Sequence, residues 1–389
     1  MKPMPPLDVA DLDHVVSKTA GLWDELRGKR LFITGGTGFF GRWLLETFIA
    51  ANDRLGLDAR ATVLSRDPAA FRGKMPHVAG HKSVSLAAGD MCTCDMKGER
   101  FDFVIHAAVE PLLPDSQPLT PDPRSLFSCD SLSMFERNVA GTKNALEIAR
   151  RCRARRFLLT SSGAVYGRQP PDLKHVSEGY AGAPDPTDPL SAYGQAKRIS
   201  EFMCSAHAQQ DGFEATIARC FAFVGPHLPL DANYAVGNFI RDALQGGPIH
   251  INGDGTPRRS YLYAADLAIW LWTILFRRDA SRVYNVGSDA DLSILDLAHQ
   301  VRDAVAPQAE IQVAQPAEPG KPAERYVPSI HRARTELGLD VSVPLSEAIR
   351  HTADWYSLTR GSGIKDSRIP VPRILEPADP GTPRPENPS

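Results

Sequence analysis

Apolar residues fall into two spacings along this chain. Short runs, Leu31-Phe32-Ile33, Ala61-Thr62-Val63-Leu64, Val84 to Leu86, Phe103-Val104-Ile105 and Arg156 to Thr160, have the length of strands buried on both faces. Between them, apolar positions recur three and four apart, as in Trp43, Leu44, Leu45, Phe48 and Ile49, and again in Val139, Leu146, Ile148 and Ala149 of a segment opening near Met134. That is the period of amphipathic helices. Alternation of strand and helix predicts an α/β fold with a doubly wound parallel sheet covered on both faces. Val15, Val16, Leu22, Trp23 and Leu26 suggest helix ahead of the first strand. The longest apolar run, Leu267 to Phe276, is bracketed by Asp266 and Arg277 and falls short of the ~20 residues of a membrane span, so it predicts a buried helix. Ser293-Ile294-Leu295-Asp296 has the form of a capping box opening a helix through Val305.

The first strand runs into Thr34-Gly35-Gly36-Thr37-Gly38-Phe39-Phe40-Gly41, and the first helix follows directly. Glycine at 35 permits a sharp turn, at 38 close approach of backbone to a pyrophosphate, and at 41 close packing of the helix. The helix N-terminus then faces the phosphates. Strand, glycine loop and helix in that order predict a Rossmann-type dinucleotide cradle made by Gly35, Thr37, Gly38, Phe39, Phe40 and Gly41. The second strand ends in Ser65-Arg66-Asp67. Where an acidic residue would accept a ribose 2′-hydroxyl stands Ser65, with Arg66 beside it to meet a 2′-phosphate, which favours NADP over NAD. Asp90 is placed to meet the adenine edge, and Ala107 and Ala108, small residues ending the fourth strand, leave room for the cofactor. His106 in that strand reads as a satisfied core group.

With 389 residues, the chain has room for two or three units of ~150 residues. The expected division is an N-terminal extension over 1–28, a dinucleotide-binding domain over 29–222 to which the chain returns near 260–290, a smaller C-terminal substrate-binding α/β domain from 223–259 and 291–358, and a proline-rich disordered tail over 361–389. Apolar residues at 42%, charged residues at 23% and a net charge of −2 point to a small-molecule partner, with no nucleic acid and no membrane. Met1 to Ala10 has three prolines and no apolar core of a signal peptide, so the expected compartment is the cytoplasm. Six scattered cysteines, with Cys92-Thr93-Cys94 as the only close pair, read as free thiols with no metal site. The proline-rich segment from Glu110 to Asp130 is long for a plain connection.

The fifth strand ends in Thr160-Ser161-Ser162-Gly163-Ala164-Val165-Tyr166-Gly167, and Tyr193 and Lys197 follow four apart, on one face of a helix. A phenol titrates near ~10 and needs a neighbouring cation to act as a base at neutral pH, which Lys197 and an oxidised nicotinamide supply together. Ser162 is placed to hydrogen-bond the same substrate oxygen while hydride leaves to the ring.

From about Arg30 to Trp355 the chain resembles the extended short-chain dehydrogenase/reductases of the nucleotide-sugar epimerase/dehydratase family. The likeness rests on the TGGTGFFG loop, SSGAVYG, YGQAK, RCFAFVGP at Arg219 to Pro226, GDGTPRRSYLYAADLA at Gly253 to Ala268 and YNVGS at Tyr284 to Ser288. The resemblance implies Tyr193 as catalytic base, Lys197 as its pKa partner and nicotinamide-ribose ligand, and Ser162 as hydroxyl holder. It also implies Asn138 as a helix residue supporting the active site and Arg259 as a ligand of the sugar-nucleotide phosphates. Members that dehydrate between C4 and C6 carry Asp-Glu after the serine or threonine, where this chain has Gly163 and Ala164. Ala222 replaces a frequent phosphate-binding asparagine and Glu318 a frequent arginine, with Arg258, Arg259, Lys321 or Arg325 available to compensate. A long loop with Pro170, Pro171, Pro184, Pro186 and Pro189 separates Ser162 from Tyr193 and is expected to shape substrate choice. The reading is hydride transfer at C4 of a nucleoside-diphosphate hexose, as C4-epimerase or 4-ketoreductase. The alternatives are an atypical sugar-nucleotide 4,6-dehydratase and a non-catalytic NAD(P) sensor, the latter opposed by the intact Ser162, Tyr193 and Lys197. A homodimer through the helices around Met134 to Arg150 and Tyr193 to Ala208 is implied by the same resemblance.

Overall fold

The computed structural model describes residues 3–110, 123–232, 234–277 and 283–360. Seven strands, β1 (Arg30–Thr34), β2 (Arg60–Ser65), β3 (Val84–Ala88), β4 (Phe103–His106), β5 (Arg156–Ser162), β6 (Glu214–Cys220) and β7 (Val283–Val286), form one sheet. Its order is β7-β6-β5-β4-β1-β2-β3 and every pairing is parallel. The direction of winding reverses between β1 and β4, and it is outside the carboxyl ends of strands at such a point that open α/β sheets bind ligands.

The principal helices are α1 (Val9–Lys18), α2 (Phe39–Leu55), α3 (Pro123–Cys152), α4 (Ala192–Asp211), α5 (Ala235–Leu244), α6 (Ala264–Phe276), α7 (Ile294–Val305) and α8 (Leu345–Arg360). Alternate residues of each strand feed opposite cores. Leu31, Ile33, Phe103, Ile105 and Leu158 pack toward α2 and α6, while Phe32, Val104, Phe157 and Leu159 pack toward Leu146 and Ala149 of α3 and Cys204 of α4.

Every residue of α6 is buried, as the apolar run predicted. A helix with no polar face still has carbonyls to satisfy at its C-terminus. Arg156, at the start of β5, donates to the carbonyls of Phe276 at 2.6 Å and Leu275 at 3.4 Å. The N-terminal extension lies against α2 and α6, with Trp23 buried beside Trp272 at a ring separation of 5.0 Å and Tyr263 donating to Asp11 at 2.7 Å.

One boundary differs from the sequence expectation. α3 opens at Pro123, eleven positions before Met134, because proline is tolerated at the first helical position and no proline or glycine interrupts residues 124–140. Residues 111–122 of the proline-rich segment and the tail 361–389 lie outside the described residues.

The smaller C-terminal part contains α5, α7 and α8. Two short strands, Arg258–Arg259 and Arg325–Tyr326, pair in parallel, and Leu292–Ser293 adds an antiparallel third. Ser293 and Asp296 form the expected capping box at the start of α7.

Candidate functional site

The loop from Thr34 to Gly41 lies at the carboxyl end of β1, against the end of β4. Gly35 has φ of +74°, and a Cβ there would lie 2.4 Å from the backbone of Ala107; at Gly41 it would lie 2.3 Å from the Cα of Gly36. Both glycines are thus demanded by the fold itself. Gly38 is not: its φ is −84° and the nearest atom to an added Cβ is 3.4 Å away. Gly38 N-caps α2, no side chain caps that helix, and its first turn holds no acidic residue. Amides of Phe39, Phe40 and Gly41 therefore offer an anion site, and a glycine unneeded for packing keeps it open, so the cradle fits a dinucleotide pyrophosphate.

At the end of β2, Ser65 is buried while Arg66 is 67% exposed on its side chain and reaches Glu110 at 3.4 Å. Asp67 is occupied elsewhere, capping the helix Pro68–Lys74 through Ala70 N at 2.9 Å. Asp90 accepts from Cys92 N at 2.9 Å and from Arg137 at 2.6 Å, and Arg137 also reaches Glu110 at 3.2 Å. Arg137 thus joins Asp90 and Glu110, a residue that sequence reading passed over because it sits on a helix far along the chain. Among the described residues no His, Cys, Asp and Glu cluster has the form of a metal site.

His106 is fully buried between Thr34 Oγ1 at 2.7 Å and Thr142 Oγ1 at 3.2 Å, and Thr142 continues to Ser200 on α4 at 2.8 Å. Burial, with a smaller contribution from Lys197, pushes its pKa down to about 3, which makes it the satisfied core group expected. Asn138 clamps the residue that follows Val109: its amide nitrogen donates to Glu110 O at 3.1 Å and Met134 O at 2.7 Å, and its oxygen accepts from Glu110 N at 3.1 Å.

Ser162 ends β5, and Tyr193 and Lys197 approach it from α4. Gly194 allows this, because a Cβ there would lie 2.7 Å from Ala164 O and 2.8 Å from a Pro184 side-chain atom. The Ser162 hydroxyl faces the Tyr193 phenol and opposes the rise in its pKa. Lys197 is buried, donates to Thr160 O at 2.9 Å, and lies 5.8 Å from the centre of the Tyr193 ring. Burial, reinforced by Tyr326, raises the Tyr193 phenol above its usual range, and burial pulls Lys197 down to about 8. In the protein alone the phenol thus stands above its usual range, and positive charge brought beside it works in the opposite direction.

Tyr326 is the functional-site candidate that sequence reading missed. Its hydroxyl stands 3.4 Å from Ser162 Oγ, its ring packs on Phe221 at 4.7 Å, and the Arg259 guanidinium lies 5.9 Å from its ring centre. Nothing in the local sequence marks it, since 164 residues separate it from Ser162. Of the residues expected near substrate phosphates, Arg258 and Arg325 are both committed to Asp291, and Lys321 pairs with Glu318 at 3.3 Å. Among the described residues Arg259 forms no ion pair; it donates to Arg258 O at 2.9 Å. The proline-rich loop joins this region, with Val176 N donating to Val327 O and Gln169 Oε1 accepting from Val327 N, both at 3.0 Å.

The sequence profile described as "NAD dependent epimerase/dehydratase family" matches residues 31–287. UDP-glucuronic acid decarboxylase 1 of Danio rerio is 29% identical over 350 residues, covering 89% of this chain and 77% of that protein. UDP-glucuronic acid decarboxylase 6 of Arabidopsis thaliana is 29% identical over 339 residues, covering 85% and 90%. Among solved structures, UDP-glucose 4-epimerase of Thermotoga maritima with UDP-glucose superposes with a TM-score of 0.68 at 20% identity, covering 85% of this chain and 99% of that one. DesIV, the dTDP-glucose 4,6-dehydratase of Streptomyces venezuelae with NAD and TYD bound, gives 0.69 at 24%, covering 85% and 98%. Structural likeness at that identity carries the fold; the profile, spanning from β1 into the loop after β7, carries the family. With the named enzymes on either side of it, the chain is an enzyme of the NAD dependent epimerase/dehydratase family.

Proposed function

We propose that this enzyme moves a hydride between a nicotinamide dinucleotide and C4 of a nucleoside-diphosphate hexose, as a C4-epimerase or 4-ketoreductase. The observation that carries the reading is the meeting of Ser162, Tyr193 and Lys197 at the carboxyl end of β5, beside a cradle that fits a dinucleotide, with no acid at Gly163 or Ala164. Tyr193 takes the C4 hydroxyl proton as phenolate, Ser162 hydrogen-bonds the same oxygen, and Lys197 holds positive charge below the pair. The oxidised nicotinamide, when bound, accepts the hydride and adds the positive charge that the phenol needs. Phe221 and the Tyr326 hydroxyl fill the space beside Gly163, each 2.7 Å from a Cβ built there, which disfavours 4,6-dehydration by an acid at this position. Amides of Phe39, Phe40 and Gly41 hold the pyrophosphate in this reading, Ala107 and Ala108 leave room beside it, and Ser65 and Arg66 favour NADP.

The decarboxylase relatives favour a second reading. A hexuronate oxidised at C4 is a β-keto acid, which loses carbon dioxide without an acid at 163 or 164. Incubation with UDP-glucose, UDP-galactose, UDP-glucuronic acid and dTDP-4-keto-6-deoxyglucose, each with NAD, NADP and their reduced forms, separates these readings by mass and chromatography. Unchanged mass with a new retention time marks epimerisation, gain of two hydrogens reduction, loss of water dehydration and loss of carbon dioxide decarboxylation. Turnover that survives intact in Tyr193→Phe overturns the assignment. We also propose a homodimer through α3 and α4, which pack together and expose Leu132, Ile199 and Phe202.

A further inference from the structure

Ser162 has one proton and two acceptor sites, so its partners decide where the proton points. One site is taken by Ala164 N–H at 3.1 Å, which can only donate. Tyr326 stands 3.4 Å from the same oxygen. That hydroxyl lies against the Gly163 backbone, where an added Cβ would come within 2.7 Å of it. With Tyr326 donating, both acceptor sites of Ser162 are engaged and the serine's proton is directed away from them, toward Tyr193 and the substrate oxygen. At the serine the Ala164 amide is a fixed donor, which cannot reverse.

We propose that Tyr326 is a positioning residue for the hydride-transfer reaction, fixing the direction of the Ser162 hydroxyl so that its proton meets the substrate oxygen that becomes the carbonyl. Three features hold it there. Glycine at 163 leaves the space its hydroxyl fills, since a Cβ there would come within 2.7 Å of Tyr326 Oη. Val327 N is tied to Gln169 at 3.0 Å on one side, and Arg325 is anchored to Asp291, which also binds Arg258, on the other. The ring is packed on Phe221. A separation of 3.4 Å is long for two hydroxyls, and catalytic hydrogen bonds tighten once substrate fills the site. The assignment rests on the proposed function, because the oxygen in question is the one Tyr193 deprotonates.

The test is a mutant cycle on whichever of UDP-glucose, UDP-galactose, UDP-glucuronic acid and dTDP-4-keto-6-deoxyglucose turns over. Tyr326→Phe keeps the ring packing and is expected to lower kcat about ten-fold with KM changed less than about two-fold. Ser162→Ala lowers kcat further, and the double variant is no slower than Ser162→Ala alone, because Tyr326 acts through the serine. Gly163→Ala, which displaces the hydroxyl without removing it, gives the same direction of change and covers the case in which Tyr326→Phe fails to fold. An unchanged kcat in Tyr326→Phe, or losses that multiply in the double variant, overturns the inference while leaving the proposed function standing. No turnover by the natural protein, or full turnover by Tyr193→Phe, overturns the proposed function and this assignment with it.

Discussion

Gly38→Ala and Gly35→Ala separate what the fold needs from what a ligand needs in one glycine loop. At Gly38 the backbone is extended, with φ of −84° and ψ of −176°, and an added Cβ comes no closer than 3.4 Å to its surroundings. The cost is that of alanine at an N-cap, about 1 kcal/mol at most, which lowers Tm by no more than about 2–4 °C. A methyl group at the mouth of α2 nevertheless keeps phosphate oxygens from the amides behind it. Losing one charge-assisted hydrogen bond, about 1.5–3 kcal/mol, weakens binding roughly ten- to a hundred-fold. Gly35→Ala behaves oppositely. Its φ of +74° costs about 1–2 kcal/mol for any side chain. The 2.4 Å approach to the Ala107 backbone adds to that, so a loss of about 3 kcal/mol or more is expected. Thermal melts and fluorescence titrations with NADH and NADPH read both quantities on the same samples. Gly38→Ala that is folded and binds both dinucleotides with the natural Kd would refute the cradle.

Arg66→Ala is expected to weaken NADPH about ten-fold while leaving NADH within about two-fold, measured by the same titration, because only the 2′-phosphate distinguishes the two. The pKa of His106, about 3 in the folded protein, lies well below the unfolded value of about 6.5, so between these values the unfolded chain binds the extra proton and stability falls as pH drops. Its share is about 1.4 kcal/mol per pH unit, and urea melts from pH 7 to 5 of the natural protein and His106→Gln should diverge, the variant having the flatter slope. Phe202 is 71% exposed on α4, and Phe202→Glu is expected to give a monomer of unchanged Tm by light scattering; a Phe202→Glu dimer removes this face from the proposed interface.

Most of the sheet was legible in the sequence because each strand is a local apolar run, and a parallel sheet covered on both faces needs nothing else to announce itself. The glycine loop was legible because strand, glycines and helix follow one another directly in the chain, although the contact that demands Gly35 comes from Ala107 on β4. The start of α3 was not legible, since Pro123 follows a run of prolines in irregular sequence and yet opens the helix. Arg137 and Tyr326 escaped for another reason: their roles depend on partners 47 and 164 residues away.

By itself the sequence determined the strand order of hydrophobicity, the glycine loop, and the presence of a serine, a tyrosine and a lysine fit for hydride chemistry. Only the tertiary structure decided the surroundings of that group. Desolvation, which no local pattern encodes, raises Tyr193 and lowers Lys197. The position beside Gly163, empty in the sequence, is filled in space by a hydroxyl carried in from the far end of the chain.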